Sequence, residues 1–226
     1  MSFSRSLKER SGKRWEESYS HPFVQELGAG TLDRESFKFY LLQDYIYLVE
    51  YAKVFAVGVV KSADEGMMAN FTRSQHSILC REMETHRDYM RKFGISQREM
   101  EESRQSLFSK AYTSNMMYTA TVGGPAEIIS VVLPCAWSYY DYAARLKSKF
   151  SDTIEDNFYR SWIDVYSSEE YRESFEWLFS DLDRLSESRS QRELDALWDI
   201  FQTSVEFEYL FWDICHRRQM LYAVGM

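Results

Sequence analysis

Residues 131–142 read VVLPCAWSYYDY, an apolar and aromatic stretch with one proline and, directly after it, one cysteine. In and just before this stretch, largely apolar side chains recur at steps of three and four residues, at Ile128, Val131, Cys135, Tyr139 and Tyr142. These steps predict a helix that buries one face. Because a proline inside a helix cannot bond to the carbonyl four residues earlier, we expect a kink at Pro134 and a free Ser130 carbonyl. Cys135 is then either a small core residue or a nucleophile beside a local irregularity.

The rest of the chain has the same helical period and no run of strand alternation. We therefore predict an all-α protein, a single-domain helical bundle covering residues 1–226, with eight or nine helices and short connections. The longest helices are predicted at Asp33 to about Ser62, Asp64 to Phe93, Leu107 to Val122, Pro125 onward, and Gln191 towards Met220. Gly94 follows the second of these and is a good helix terminator.

Shorter elements and helix starts are also predicted from local signals. One N-terminal helix is predicted, because aromatic and apolar residues separated by multiples of four positions share one face of a helix. They are Phe3, Leu7, Trp15 and Tyr19. A short turn is predicted to begin at Pro22 and to close at Gly28 and Gly30. Capping boxes predict four further helix starts, at Ser96/Glu99, Asp152/Glu155, Ser167/Glu170 and Ser190/Glu193.

The composition is that of a globular protein, with 45% hydrophobic and 27% charged residues. No apolar run reaches the roughly 18 residues that span a membrane, and no apolar segment of a secretory signal follows the basic N-terminus. Three cysteines without metal-type spacing are typical of a reducing compartment, so we expect a cytoplasmic protein. The net charge of −8 argues against nucleic-acid and anionic-membrane partners.

Two carboxylates are predicted to lie on apolar helix faces. Asp44 lies on the face that also carries Tyr40 and Tyr47, and Glu208 shares a face with Phe211 and other apolar residues of the last helix. A buried carboxylate is costly unless it is paired, protonated or used in chemistry. Each is therefore either an interhelical anchor satisfied by a tyrosine or a functional acid.

Several tyrosines add hydroxyl groups to the predicted interior, namely Tyr47, Tyr112, Tyr118, Tyr139 and Tyr166. Each of them alone is more typical of a core than of a site. One thiol, two buried acids and several phenols together indicate a closed pocket for a flat, basic heterocycle.

Metal, haem and phosphate sites are not favoured. Glu82 and His86 are four residues apart and would be able to share a metal, but the Glu-x-x-His pairs of a di-iron bundle are absent. His21 precedes a proline in a predicted turn, a poor position for an axial haem ligand. We therefore interpret the histidines as surface or capping residues. The sequence contains neither a glycine-rich phosphate loop nor a Ser-His-Asp pattern.

Close to its whole length, the chain resembles the thiaminase II (TenA) family. The resemblance is carried by HPFVQELGAGTL at 21–32, FYLLQDYIYLVEYAKV at 39–54, YTSNMMYTA at 112–120, AEIISVVLPCAWSYYDYA at 126–143, VYSSEEY at 165–171 and EYLFWDICH at 208–216. It implies a haem-oxygenase-like bundle without haem, usually a homotetramer, that acts in thiamin metabolism without a cofactor or metal. The implied reaction is hydrolysis at the substituted methyl group of a 4-amino-2-methylpyrimidine.

By matching position, the resemblance implies that Cys135 is the nucleophile and Glu208 the acid/base that grips the aminopyrimidine edge. It implies that Asp44 hydrogen-bonds the ring, and that the ring is oriented or stacked by Tyr47, Tyr112, Tyr139 and Tyr166. The motif LPC at 133–135 is that of the family's common branch. Ala136 stands where an aromatic residue is frequent, and DICH at 213–216 ends the last motif less typically, so both departures bear on substrate preference.

Three classes of function remain to be distinguished by experiment. We expect an aminopyrimidine or thiamin hydrolase, in which an acid protonates the ring and a thiolate adds to it and expels the amine or thiazolium from the exocyclic carbon. Water then adds and the thiol leaves. A non-enzymatic binding or regulatory protein would keep the same pocket but form no product. A metal- or cofactor-dependent oxidase would bind a metal, and the missing ligand pattern disfavours it.

Overall fold

The helical period of the sequence is realised as twelve α-helices over residues 2–220, the part of the chain that the computed structural model describes. They are α1 (Phe3–Arg10), α2 (Gly12–Tyr19), α3 (Pro22–Ala29), α4 (Arg34–Lys61), α5 (Glu65–Ser77), α6 (Met83–Lys92), α7 (Gln97–Glu102), α8 (Leu107–Val122), α9 (Pro125–Lys149), α10 (Arg160–Tyr166), α11 (Glu169–Ser186) and α12 (Gln191–Arg217). A π-helical segment, Ile78–Glu82, joins α5 to α6, and a 3-10 turn, Ile154–Asp156, precedes α10. The predicted all-α class is confirmed.

Helix α9, which contains the opening stretch, lies at the centre of the bundle. It packs against α12, α11, α10, α8, α4 and α3, and the side chains from Ile128 to Tyr139 are all buried. Pro134 lies inside α9 and does not end it. Two carbonyls close to it accept hydrogen bonds from neighbouring helices, Val131 from Ser204 Oγ at 3.0 Å and Val132 from the Tyr51 hydroxyl at 2.8 Å. These bonds tie α9 to α12 and α4.

Several helix boundaries agree with their capping residues. Asp33 accepts a hydrogen bond from the Ser36 backbone N–H at 3.0 Å and starts α4. The complete capping box at Ser190 and Glu193 starts α12. Gly94, with φ +64°, follows α6 in a conformation that favours glycine. The polar groups at these ends are therefore satisfied as the sequence predicts.

Other boundaries differ from the prediction, and the helices between residues 2 and 220 outnumber the eight or nine expected. The N-terminal stripe is carried by two short helices because the backbone breaks at Ser11 (φ −89°, ψ 3°). The segment from Pro22 is a full helix, α3, ended by Gly30 at φ +76°. Asp152 caps no helix, since a 3-10 turn follows it, and Ser168 rather than Ser167 caps α11.

Apolar side chains from α1 to α12 form one hydrophobic core. Gly58 illustrates how closely the helices pack: a Cβ atom there would lie 2.4 Å from the ring of Phe71, so α4 and α5 approach too closely for any larger residue. Between residues 2 and 220, none of the helices combines the length and apolarity required to span a bilayer.

Candidate active site

Glu208 and Tyr112 form a buried hydrogen-bonded pair between α12 and α8. The Tyr112 hydroxyl donates to Glu208 Oε1 at 2.6 Å, and both side chains are almost fully buried. The Tyr112 ring lies stacked on Phe207, and it also contacts Tyr47 of α4, with ring centroids 5.2 Å apart. Burial raises the pKa of Glu208 to about 8, against the lowering effect of the Tyr112 hydrogen bond. Glu208 is therefore mostly protonated at neutral pH and is able to act as a general acid.

The Cys135 thiol lies in the same cluster, on α9. Cys135 is 7% exposed. The thiol lies close enough to the Glu208 carboxyl and to the hydroxyl groups of Tyr47 and Tyr51 for their ionisations to be coupled. Burial and the charge of Glu208 raise the pKa of Cys135 well above its ordinary value, and the neighbouring Tyr47 hydroxyl only partly offsets them. The resting thiol is consequently neutral and needs a proton acceptor before it attacks.

The other two cysteines lie in different surroundings. Cys215 is fully buried on α12, and burial followed by the charge of Asp44 raises its pKa. Cys80 is exposed in the π-helical segment. Of the three cysteines, Cys135 is the one that lies beside both Glu208 and tyrosine hydroxyl groups.

Asp44 is held in a hydrogen-bond network that sequence reasoning found only in part. Its Oδ2 accepts from the Tyr40 hydroxyl at 3.0 Å and lies 2.6 Å from His86 Nε2, and Trp162 Nε1 donates to the Tyr40 oxygen at 3.0 Å. His86 Nδ1 lies 3.1 Å from the backbone carbonyl of Glu82. Both ring nitrogens of His86 thus face oxygen atoms, and His86 links the Asp44 carboxyl to the backbone carbonyl of Glu82.

His86 corrects the interpretation of the histidines as surface or capping residues. It is 1% exposed, and although burial opposes its charge, the hydrogen bond and the charge of Asp44 outweigh burial and raise the pKa of His86. His21 does cap a helix, because its Nδ1 accepts from the Phe23 backbone N–H at 3.2 Å. The missed signal was the stripe Met83, His86 and Met90, in which a histidine shares a buried face with two methionines.

The remaining predicted tyrosines fall into two groups. Tyr139 lies deep between α9 and its neighbours, with ring centroids 4.9 Å from Tyr166 and 5.2 Å from Trp212. Tyr166 donates from its hydroxyl to Glu82 Oε1 at 2.8 Å. Tyr118 is 68% exposed and was wrongly expected inside, because six residues along a helix turn it about 120° away from the buried face of Tyr112.

A cavity of about 500 Å³ lies beside this cluster, between the π-helical segment and helices α9 to α11. Its wall includes Tyr51, Glu82, Ala136 and Tyr171. None of the seven predicted site residues lines it, but Ala136 directly follows Cys135 and Tyr51 neighbours the thiol. The protein thus has a buried group of acids, thiol and phenols next to a space of ligand size.

Metal ligation finds no support in the described side chains. Within residues 2–220, no three His, Cys, Asp or Glu side chains are grouped as they would be to hold a metal ion. Glu82 and His86, the pair considered from the sequence, instead contact Tyr166 and Asp44.

Known proteins resemble this chain over nearly its full length. The chain is 42% identical to the aminopyrimidine aminohydrolase of Helicobacter pylori, covering 96% of this chain and 100% of that protein. It is 39% identical to the aminopyrimidine aminohydrolase of Halalkalibacterium halodurans, covering 97% and 98% of the two chains. The expectation of a hydrolase is confirmed by these relatives.

Solved structures agree with the fold. The TenA homologue from P. horikoshii OT3 superposes with a TM-score of 0.85 at 31% identity, over 96% of this chain and 99% of that one. A domain from Shewanella denitrificans described as having a heme oxygenase-like fold superposes with a TM-score of 0.74 at 14% identity, over 98% and 95%, which confirms the predicted fold. Residues 10–218 match the TENA/THI-4/PQQC family profile, and the chain belongs to this family.

Proposed function

We propose that the protein hydrolyses 4-amino-5-aminomethyl-2-methylpyrimidine, thiamin or both to 4-amino-5-hydroxymethyl-2-methylpyrimidine, as a step of thiamin salvage. The observation that carries the proposal is the buried Cys135 thiol beside the Glu208–Tyr112 pair. The names of the relatives support the substrate class. The roles of individual residues rest on the geometry and on the resemblance.

In the proposed mechanism, Glu208 gives its proton to a ring nitrogen of the bound aminopyrimidine and makes the ring electrophilic. The carboxylate that results lies next to the Cys135 thiol and takes up the thiol proton. The thiolate then adds to the ring, and the bond from the exocyclic carbon to the amine or thiazolium nitrogen breaks, with the electron pair leaving on nitrogen. Water adds to the exocyclic carbon and loses a proton to solvent, the thiolate leaves and takes its proton back from Glu208, and the ring nitrogen returns its proton to the Glu208 carboxylate.

The other predicted residues bind and orient the ring in this proposal. Asp44 offers Oδ1 to the ring, because the hydrogen bonds that it makes with the described residues all use Oδ2. Tyr47 and Tyr112 contact each other beside Glu208, and Tyr139 and Tyr166 both contact Trp162. Aromatic side chains of this kind suit a flat ring.

We also propose that the whole chain, residues 1–226, is one domain of a cytoplasmic homotetramer that uses no cofactor. Exposed apolar side chains support a contact between chains, since Val60 of α4 and Tyr118 and Val122 of α8 are 84%, 68% and 65% exposed. Helices α4 and α8 pack against each other. Such exposed apolar surface is typical of an interface.

The test of covalent catalysis is a comparison of three cysteine variants. Cys135→Ser should lose most turnover, because an alcohol is far less ionised than a thiol at neutral pH, and should still bind the aminopyrimidine. Cys80→Ser and Cys215→Ser are the matched controls and should keep activity, the second with some loss of stability from a buried hydroxyl. Hydrolysis and ligand affinity are measured for all three. Near-wild-type turnover by Cys135→Ser would contradict the mechanism, and wild-type protein that binds the aminopyrimidine without forming product would favour a binding or regulatory protein.

A further inference from the structure

Glu82 is an acidic side chain in the cavity wall that the proposed mechanism does not use. It ends the π-helical segment Ile78–Glu82, and such segments inside α-helices occur frequently at functional sites because they shift the register of the side chains. Its side chain is partly buried, and its Oε1 accepts the hydroxyl of Tyr166 at 2.8 Å. The carboxyl group is therefore held in place at the boundary between the buried cluster and the cavity.

The other charged side chains of this cavity already have partners of opposite charge. Arg81 and Glu170 form a salt bridge at the exposed rim, and Asp164 is paired with Lys147 at 2.7 Å. Among the described residues, no lysine or arginine lies within salt-bridge distance of Glu82. The hydrogen bond from Tyr166 is neutral, and His86, the cationic group that acts on Glu82, is already paired with Asp44.

The missing counter-charge has a direct consequence for the ionisation of Glu82. Burial raises the pKa of Glu82 to about 7, although the charge of His86 lowers it. A cationic ligand group in the cavity would favour the ionised carboxylate and form an ion pair with it.

The cavity places such a cation close to the reacting thiol. Ala136, the residue after Cys135, lines the cavity, and the small side chain leaves room between Glu82 and α9. The charge of Glu82 also acts on the thiol and raises its pKa, after burial and Glu208. A ligand that reaches from the buried cluster into the cavity therefore passes Cys135 and ends near Glu82.

We propose that Glu82 binds the cationic nitrogen carried by the exocyclic carbon of the substrate, in the cavity beside Ala136. This rests on the proposed function, in which the ligand is an aminopyrimidine with a primary ammonium or a thiazolium on that carbon. The hydroxymethyl product lacks the charge and so loses this ion pair. Glu82 thus distinguishes substrate from product and favours product release.

The test compares the affinities of the cationic aminomethylpyrimidine and the neutral hydroxymethylpyrimidine by titration calorimetry, in a Cys135→Ser background that prevents turnover. Glu82→Gln keeps the size of the side chain and the acceptor for Tyr166 but removes the charge. We expect it to weaken binding of the aminomethyl compound by about 10- to 100-fold, the range of a hydrogen bond to a charged group. Binding of the hydroxymethyl compound should stay within about twofold of its original value.

Two further variants complete the experiment. Glu170→Gln removes a carboxylate from the rim of the same cavity and should alter neither affinity, while Glu82→Asp keeps the charge and should keep the preference for the cation. Thermal unfolding of each variant checks the fold. Equal loss of affinity for both compounds in Glu82→Gln, or no loss for either, would overturn this inference alone. If the protein with Glu82 intact binds neither compound, the proposed function and this inference both fail.

Discussion

Replacing Glu208 by glutamine is expected to make the protein more stable at neutral pH while it removes most of the activity. In the native protein, burial raises the pKa of Glu208 to about 8, while the ordinary value of 4.5 returns on unfolding. Between these two pH values the native state holds a proton that the unfolded chain has released. The stability that Glu208 contributes therefore falls as pH rises from about 4.5 to about 8, and it changes little above that window.

The size of the effect follows from the width of the window. One pKa unit corresponds to about 1.4 kcal/mol, so Glu208 lowers the free energy of unfolding by about 2.5 kcal/mol between pH 5 and pH 7. Glutamine does not titrate, and the advantage of the variant over the wild type should grow by this amount across the same interval. Any pH-independent cost of the new amide is equal at both pH values and cancels in the comparison.

Urea unfolding of both proteins at pH 5 and pH 7 measures this change, and steady-state kinetics should show kcat lower by about 10²- to 10⁴-fold because glutamine cannot transfer a proton. Glu206→Gln is the matched control: two residues earlier on α12, Glu206 is paired with Arg14 at 2.7 Å, and its side chain is 41% exposed. It should show neither effect. A stability difference between Glu208→Gln and wild type that is the same at both pH values would refute the assignment of a protonated, buried Glu208, and a near-normal kcat would refute its role as the acid.

Two other predictions concern the buried Asp44–His86 pair and the assembly. His86→Leu should lower the free energy of unfolding by about 3–5 kcal/mol in urea titrations, because it leaves Asp44 buried without its partner. The same change at the exposed His76 should have little effect. Equal effects of the two substitutions would contradict the Asp44–His86 pairing. Light scattering should find four chains in each wild-type particle. The Tyr118→Asp variant, changed on the exposed part of α8, should form smaller particles. A monomeric wild-type protein would refute the proposed homotetramer.

Helical periodicity was sufficient to predict the class of the fold and the burial of the main acids and thiol. Asp44, Glu208 and Cys135 lie on apolar stripes of α4, α12 and α9, and all three are buried as those stripes indicate. Periodicity also shows which residues share a face of one helix. It does not specify which residues of two helices meet, so the contact between Tyr112 and Glu208 is a product of the tertiary packing.

The parts of the site that the sequence did not predict have identifiable physical causes. Glu82 is the last residue of the π-helical segment, and the extra residue in that turn shifts the side chains away from the faces that a regular helical period assigns. His86 stands among charged neighbours in EMETHRD, and these make the segment resemble a solvated face. Only the two flanking methionines indicate the buried stripe.

The electrostatics of the cluster determine when the proposed nucleophile forms. At neutral pH Glu208 keeps its proton, the Cys135 thiol is neutral, and the Asp44 carboxyl is already paired with His86. A thiolate in these surroundings would be an unpaired buried charge, which is strongly unfavourable without a cation nearby. The cation in the proposed reaction is the substrate itself, through its protonated ring and its exocyclic nitrogen. We therefore infer that the Cys135 thiol ionises only after the substrate is bound and stays neutral in the free enzyme.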